Sequence, residues 1–150
     1  MPTPPRPRAL WLALVAACAA AGCAAPPAGP DPVETRRDLT RALTAGGWTV
    51  EPTDLADAFG VEAAGTAYVV RRRTGDRRRL VVFEAPPTDG GPDRDALDRD
   101  QVLLRQRLAG QSAVFYRRPA LLVVTFGAGR TALDLRLVQL LGPPVSAAEA

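Results

Sequence analysis

Between Thr66 and Phe126 short apolar runs alternate with charged tips. Thr66-Ala67-Tyr68-Val69-Val70 leads into Arg71-Arg72-Arg73, turns at Thr74-Gly75-Asp76 and returns through Leu80-Val81-Val82-Phe83. β-Branched and aromatic residues bounded by a glycine-containing turn predict a two-stranded hairpin. The series recurs: Ser112-Ala113-Val114-Phe115-Tyr116 leads into Arg117-Arg118, turns at Pro119-Ala120 and returns through Leu121 to Phe126. Each copy precedes a helical pattern. Residues 93–108 place Leu97, Leu104 and Leu108 on one face, with Asp93 at the N-cap and Gly110 beyond the end. Residues 131–141 open on Thr131 and Asp134 at capping-box spacing and stop at Gly142-Pro143. Leu133-Asp134-Leu135-Arg136-Leu137 alternates like a strand, but the length and caps of its segment favour helix.

Upstream, residues 31–45 read as a helix with Asp31 as N-cap, Pro32 in its first turn, Leu39, Ala42 and Leu43 as its buried stripe, and Gly46-Gly47 as its stop. Trp48 to Glu51 is a strand candidate closed by Pro52, and Thr53 to Gly60 reads as a capped helical turn facing Leu55, Ala58 and Phe59 inward. Two strand-strand-helix units predict an α+β fold. Its four- to five-stranded antiparallel sheet carries both following helices on one face, and the Trp48 strand extends an edge. The strand runs are apolar without alternation, so the second face must also be covered at its centre. The Asp31 helix and the Leu55 turn are the expected cover; otherwise that face is a partner surface or an apolar-ligand pocket.

The first residues differ in kind. Arg6 and Arg8 precede an uncharged apolar run from Ala9 to Ala21, thirteen residues long. That is short of the ~20 a membrane-spanning helix needs, and it fits a signal peptide. Ala20-Ala21-Gly22-Cys23 resembles the lipobox of bacterial lipoproteins, and Val15-Ala16-Ala17-Cys18 is a second, shorter-spaced match. The resemblance implies cleavage before Cys23, fatty acylation of that thiol and anchoring to the outer surface of the cell membrane, or to an outer membrane. Residues 24–30, Ala-Ala-Pro-Pro-Ala-Gly-Pro, suit a non-helical tether. The chain thus divides into a signal (1–22), a Pro/Ala-rich tether (23–30), one α+β domain (31–145) and a C-terminal tail (146–150).

Charge changes with that division. The 150 residues carry nineteen basic and sixteen acidic side chains, a net +3. Loss of the signal takes Arg6 and Arg8 with it and leaves +1, too little for a general affinity for nucleic acid. All nineteen basic residues are arginine, and His, Lys, Asn and Ile do not occur. An imidazole base, a His/Cys zinc site, a Schiff-base lysine and a P-loop lysine are therefore excluded. Ser112 and Ser146, the two serines, have no activating partner type and no nucleophile-elbow context. Glu51, Asp54, Asp57 and Glu84 offer no spacing that selects a catalytic carboxylate pair. No cofactor is indicated.

Two clusters remain. Asp89 to Asp100 resembles a calcium loop only loosely, with Gly91 and Leu97 at ligand positions and Arg94 at the turn glycine. Helix entry accounts for it better, with Asp93, Asp95, Asp98 and Asp100 early and Arg105 and Arg107 late along the dipole. Arg71, Arg72, Arg73, Arg77, Arg78 and Arg79 flank one hairpin tip as a cationic finger suited to phosphate or carboxylate groups. Arg117 and Arg118 recur at the equivalent tip of the second copy, which points to one basic rim. The expectation is a non-enzymatic binding or assembly module at the cell envelope, meeting an envelope protein or anionic lipid headgroups; a small apolar-ligand or lipid-binding protein is the alternative.

Overall fold

The computed structural model describes residues 32–54, 61, 63–127 and 129–145. The signal, the tether, Asp31, the Leu55–Phe59 turn and the C-terminal tail lie outside these residues. Helix α1 (Arg36–Ala45) leads into strand β1 (Trp48–Thr53), followed by β2 (Ala64–Arg72) and β3 (Arg77–Glu84). A two-residue ladder, β4 (Pro87–Thr88) with β5 (Gly91–Pro92), precedes α2 (Arg94–Arg107). Strands β6 (Ala113–Arg118) and β7 (Leu121–Phe126) and helix α3 (Ala132–Leu141) complete the order. The fold is α+β: an antiparallel sheet of five strands in the order β1-β2-β3-β7-β6, with helices on both faces.

Local chemistry sets the helix ends. Thr35, not Asp31, is the N-cap of α1: its hydroxyl accepts from the Asp38 N–H while the Asp38 carboxylate accepts from the Thr35 N–H at 3.1 Å. Thr-x-x-Asp satisfies two otherwise unpaired donors at the start of α1. Thr131 and Asp134 form the same reciprocal box on α3, and Asp93 caps α2 by accepting the Ala96 N–H at 2.9 Å. Pro52, expected to end β1, is accommodated within it because β1 is an edge strand, where a missing donor costs least.

The two helices that follow the hairpins do not share a face. Tyr68, Val70, Leu80, Val82, Leu121 and Val123 form one apolar face, covered by Leu39 and Leu43 of α1 and Leu133, Leu137 and Leu140 of α3. Ala67, Val81, Phe83, Phe115, Leu122 and Val124 form the other, covered by Leu97 and Leu104 of α2 with Leu108 just past its end. The expected cover is thus exchanged: α1 joins α3, and α2 lies on the second face with Ala63 and Val61 beside it. Each leucine removed from water in these layers contributes about 1.5–3 kcal/mol.

Register also fixes the poles of the sheet. Arg71 pairs with Arg77 across the β2–β3 turn, whereas Glu84 pairs with both Ala64 and Leu121, and Leu121 with Arg118. The two hairpin tips therefore lie at opposite ends of the sheet, seven residues or about 23 Å apart along β3.

Candidate functional site

The opposed tips separate the eight arginines into two groups with different employment. Arg117 lies at the Glu84 pole, donates to Asp98 Oδ1 through Nε at 3.0 Å and Nη2 at 2.8 Å, and reaches the carbonyls of Arg94, Arg118 and Leu121. Arg118 donates to the Leu140 carbonyl at 3.0 Å, near the C-terminus of α3. These two side chains tie α2 and α3 to the end of the sheet, and no single basic rim joins the tips. The chain enters the domain at this same pole: Pro32, Val33 and Glu34 border a depression with Arg118, Pro119 and Ala120. The Arg36 N–H donates to Glu84 Oε1 at 3.0 Å, and the Arg36 guanidinium pairs with the same carboxylate and with the Thr66 hydroxyl.

At the other pole the strand alternation divides the finger. Arg71 pairs with Glu51 at 2.9 Å, and Arg72 lies 5.5 Å over the Trp48 ring, each partner coming from β1. Arg78 turns to the α1/α3 face, where it is half-buried and approaches the Phe126 carbonyl at 3.4 Å. Its guanidinium occupies the space a Cβ on Gly127 would need. The side chains of Arg73, Arg77 and Arg79 are exposed and make no hydrogen bond, ion pair or ring contact among the described residues. Arg77 and Arg79 project from the α2 face. Arg79 stands in a row between Val69 of β2 and Phe126 of β7.

Two shallow depressions meet there. One, of about 460 Å³, is bordered by Val69, Arg77, Arg78, Arg79, Phe126 and Gly127. The other, of about 280 Å³, is bordered by Ala67, Tyr68, Arg79, Val81, Leu108, Gln111 and Phe126. They share Arg79 and Phe126 at the point where α2 ends and ceases to cover the sheet. Sequence reasoning identified the arginines here but not Phe126 and Leu108, which reach Arg79 only through β3–β7 pairing and the path of α2.

A larger cleft, of about 550 Å³, opens between the edge strand β6, α3 and the loop joining β7 to α3. Val114, Leu135, Val138 and Pro144 make its apolar walls, with Leu135 58% and Val138 38% exposed. At its base the Tyr116 hydroxyl donates to Asp134 Oδ1 at 3.2 Å and the Thr125 hydroxyl to the same oxygen at 3.4 Å. Thr131 donates its N–H and its hydroxyl to Oδ2, each at 2.8 Å. A carboxylate has about four acceptor sites, and these four donors occupy those of Asp134. Burial, with the Asp134 charge beside it, holds the Tyr116 phenol well above its ordinary pKa. It remains a protonated donor near neutral pH, and its bond to Asp134 braces α3 against β6 and β7.

The other sequence candidates are dispersed. Glu51 and Glu84 sit in separate ion pairs with Arg71 and Arg36, and Asp57 lies outside the described residues. Of the acidic stretch, Asp93 caps α2, Asp98 pairs with Arg117, and Asp100 is 1% exposed with its Oδ2 accepting the Ala63 N–H at 2.7 Å. Asp100 follows Leu97 by three positions and precedes Leu104 by four, the spacing of the buried stripe and the one sequence signal of its inward place. The chain matches no protein-family model, and no curated protein or solved structure shows significant similarity to it.

Proposed function

We propose that this chain is a lipid-anchored extracytoplasmic binding or assembly module that engages an anionic partner through Arg73, Arg77 and Arg79 and performs no catalysis. One observation carries the reading: three exposed guanidinium groups at one pole of the sheet have no hydrogen-bonded or ion-paired partner among the described residues. Local stability offers no reason for them. Charged residues on a sheet edge deter unwanted strand pairing, but β3 is the central strand, with β2 and β7 already on either side. The Arg71–Arg77 pair further sets like charges directly across from each other, which opposes folding. Groups retained against a local cost, in positions open to solvent, fit a role in recognition.

The pole lies at the far end of the sheet from Pro32, and the partner proposed for it is an acidic face of an envelope protein, with anionic lipid headgroups the alternative.

The test is crosslinking in intact cells, comparing the native chain with the Arg73→Ser, Arg77→Ser, Arg79→Ser triple variant. An Arg37→Ser, Arg41→Ser, Arg94→Ser variant, which removes the same three charges from exposed positions elsewhere, controls for net charge. The expected result is one crosslinked partner band that weakens at least tenfold in the triple variant, weakens in high salt, and is unaffected in the control. An undiminished band in the triple variant overturns the assignment.

A further inference from the structure

We infer that the Arg77–Arg79 pole binds an anionic amphiphile, a molecule with a compact oxyanion head and an apolar body laid along the end of the sheet face that α2 does not reach. The inference rests on the reading of this pole as an anion-binding surface and goes beyond it, to a small ligand that shares the arginines with the macromolecular partner. Arg77 and Arg79 leave β3 on the same face, with Cα atoms two residues and so about 6.6 Å apart. Two guanidinium forks at that spacing can converge on one phosphate or carboxylate head. No carboxylate borders either depression among the described residues. The charged groups lining the site are all cationic, the nearest carboxylate in its row, Glu51, being engaged by Arg71, so an anionic head is favoured over a neutral or cationic one.

The apolar half of the argument comes from where α2 stops. Leu108 is the last apolar residue that α2 and its cap lay on the sheet, and beyond it Val69 and Phe126 are only half-buried. The groove from Leu108 past Phe126 to Arg79 thus has an apolar floor and a cationic mouth. A free inorganic anion would satisfy the mouth and leave the floor wet. A neutral apolar molecule would cover the floor and leave the charges unmet. Only a ligand with both parts complements both surfaces, and the two depressions, about 280 and 460 Å³, give room for a small one.

Isothermal titration of the lipidated chain in nanodiscs of zwitterionic lipid, with empty nanodiscs as blank, separates the possibilities. The probes are hexyl phosphate, inorganic phosphate and hexyl glucoside. Hexyl phosphate should bind at least tenfold more tightly than either of the others. Arg77→Ser with Arg79→Ser should bring it down to the level of hexyl glucoside. Val69→Ser, at a half-buried position that leaves the core intact, should reduce the advantage of hexyl phosphate over inorganic phosphate without changing the latter. Equal binding of the two phosphates overturns the amphiphile while the anion-binding pole stands. Equal binding of hexyl phosphate and hexyl glucoside overturns the role of the arginines here, and absence of binding by all three overturns the inference outright. The crosslinking experiment judges the pole independently, through its macromolecular partner.

Discussion

The Asp100 carboxylate, buried on the inner side of α2, accepts the backbone N–H of Ala63 at 2.7 Å and so fixes the approach to β2 against the helix that covers it. A buried N–H that loses a charged acceptor has no water to replace it. Asp100→Ala should lower stability by about 2–3 kcal/mol, the usual cost of such an orphaned group. Asp100→Asn keeps an acceptor oxygen and should lose less. Urea denaturation reads both as a lowered midpoint at unchanged slope; an alanine variant as stable as the parent would show that the contact holds nothing.

Gly127 and Arg78 exclude a side chain from the end of β7 for two separable reasons. Gly127 has a φ of 128°, which L-residues rarely adopt, and the Arg78 guanidinium fills its Cβ site. Gly127→Ala should cost about 1–3 kcal/mol from the backbone alone, with more from displacing Arg78. Adding Arg78→Ser should return only the steric part, giving a non-zero coupling in the double-mutant cycle. Strict additivity would mean that the arginine yields freely.

The two tyrosines of the chain report on alkaline stability. Burial raises the pKa of Tyr68, and burial together with the Asp134 charge and hydrogen bond raises that of Tyr116. A phenol whose folded pKa exceeds its unfolded value of about 10 contributes stability that is complete below that pH. The contribution falls as the pH rises towards the folded value, because the unfolded chain releases a proton the native state keeps. Stability should therefore decline above about pH 10, with phenolate absorbance appearing together with unfolding. Tyr116→Phe should make the decline shallower while lowering neutral-pH stability by about 1 kcal/mol through the lost hydrogen bond. Native-state titration of both phenols near 10 would contradict this.

What is legible in the sequence is local. The α3 box of Thr131 and Asp134, the Asp93 cap and the Leu121–Phe126 strand are visible because each is decided within a few residues. The face chosen by α2 is not, because the strands beneath it are apolar on both sides and either face would bury its leucines equally well. The hairpin tips look equivalent in sequence for a related reason. Their opposition follows from β3 lying antiparallel to β7, a non-local pairing that repeats cannot announce. Six adjacent arginines announce a charged tip, but only the register divides those that meet Glu51 and Trp48 from those left to solvent. Asp100 was marked by its place on the leucine stripe, yet an acid at a helix entry has so ready an account in the dipole that the stripe is easily passed over.

The anchor can be decided by two single substitutions. If Cys23 is the acylated first residue, Cys23→Ser removes both the thiol that receives the lipid and the residue the signal peptidase requires by the resemblance. The chain should then keep its signal residues and lose the mass of the acyl groups. Cys18→Ser lies within the removed segment and should leave the mature protein unchanged in mass and in partition into the detergent phase. The opposite pattern would move the anchor to Cys18 and lengthen the tether by the five residues 18–22. Absence of acyl mass from the parent would remove the lipid and with it the case for an extracytoplasmic partner, whereas its retention in both variants would show that neither cysteine alone carries the anchor. The capping boxes, the Asp100 contact and the separation of the two arginine groups would be untouched, since none of them involves a residue before Pro32.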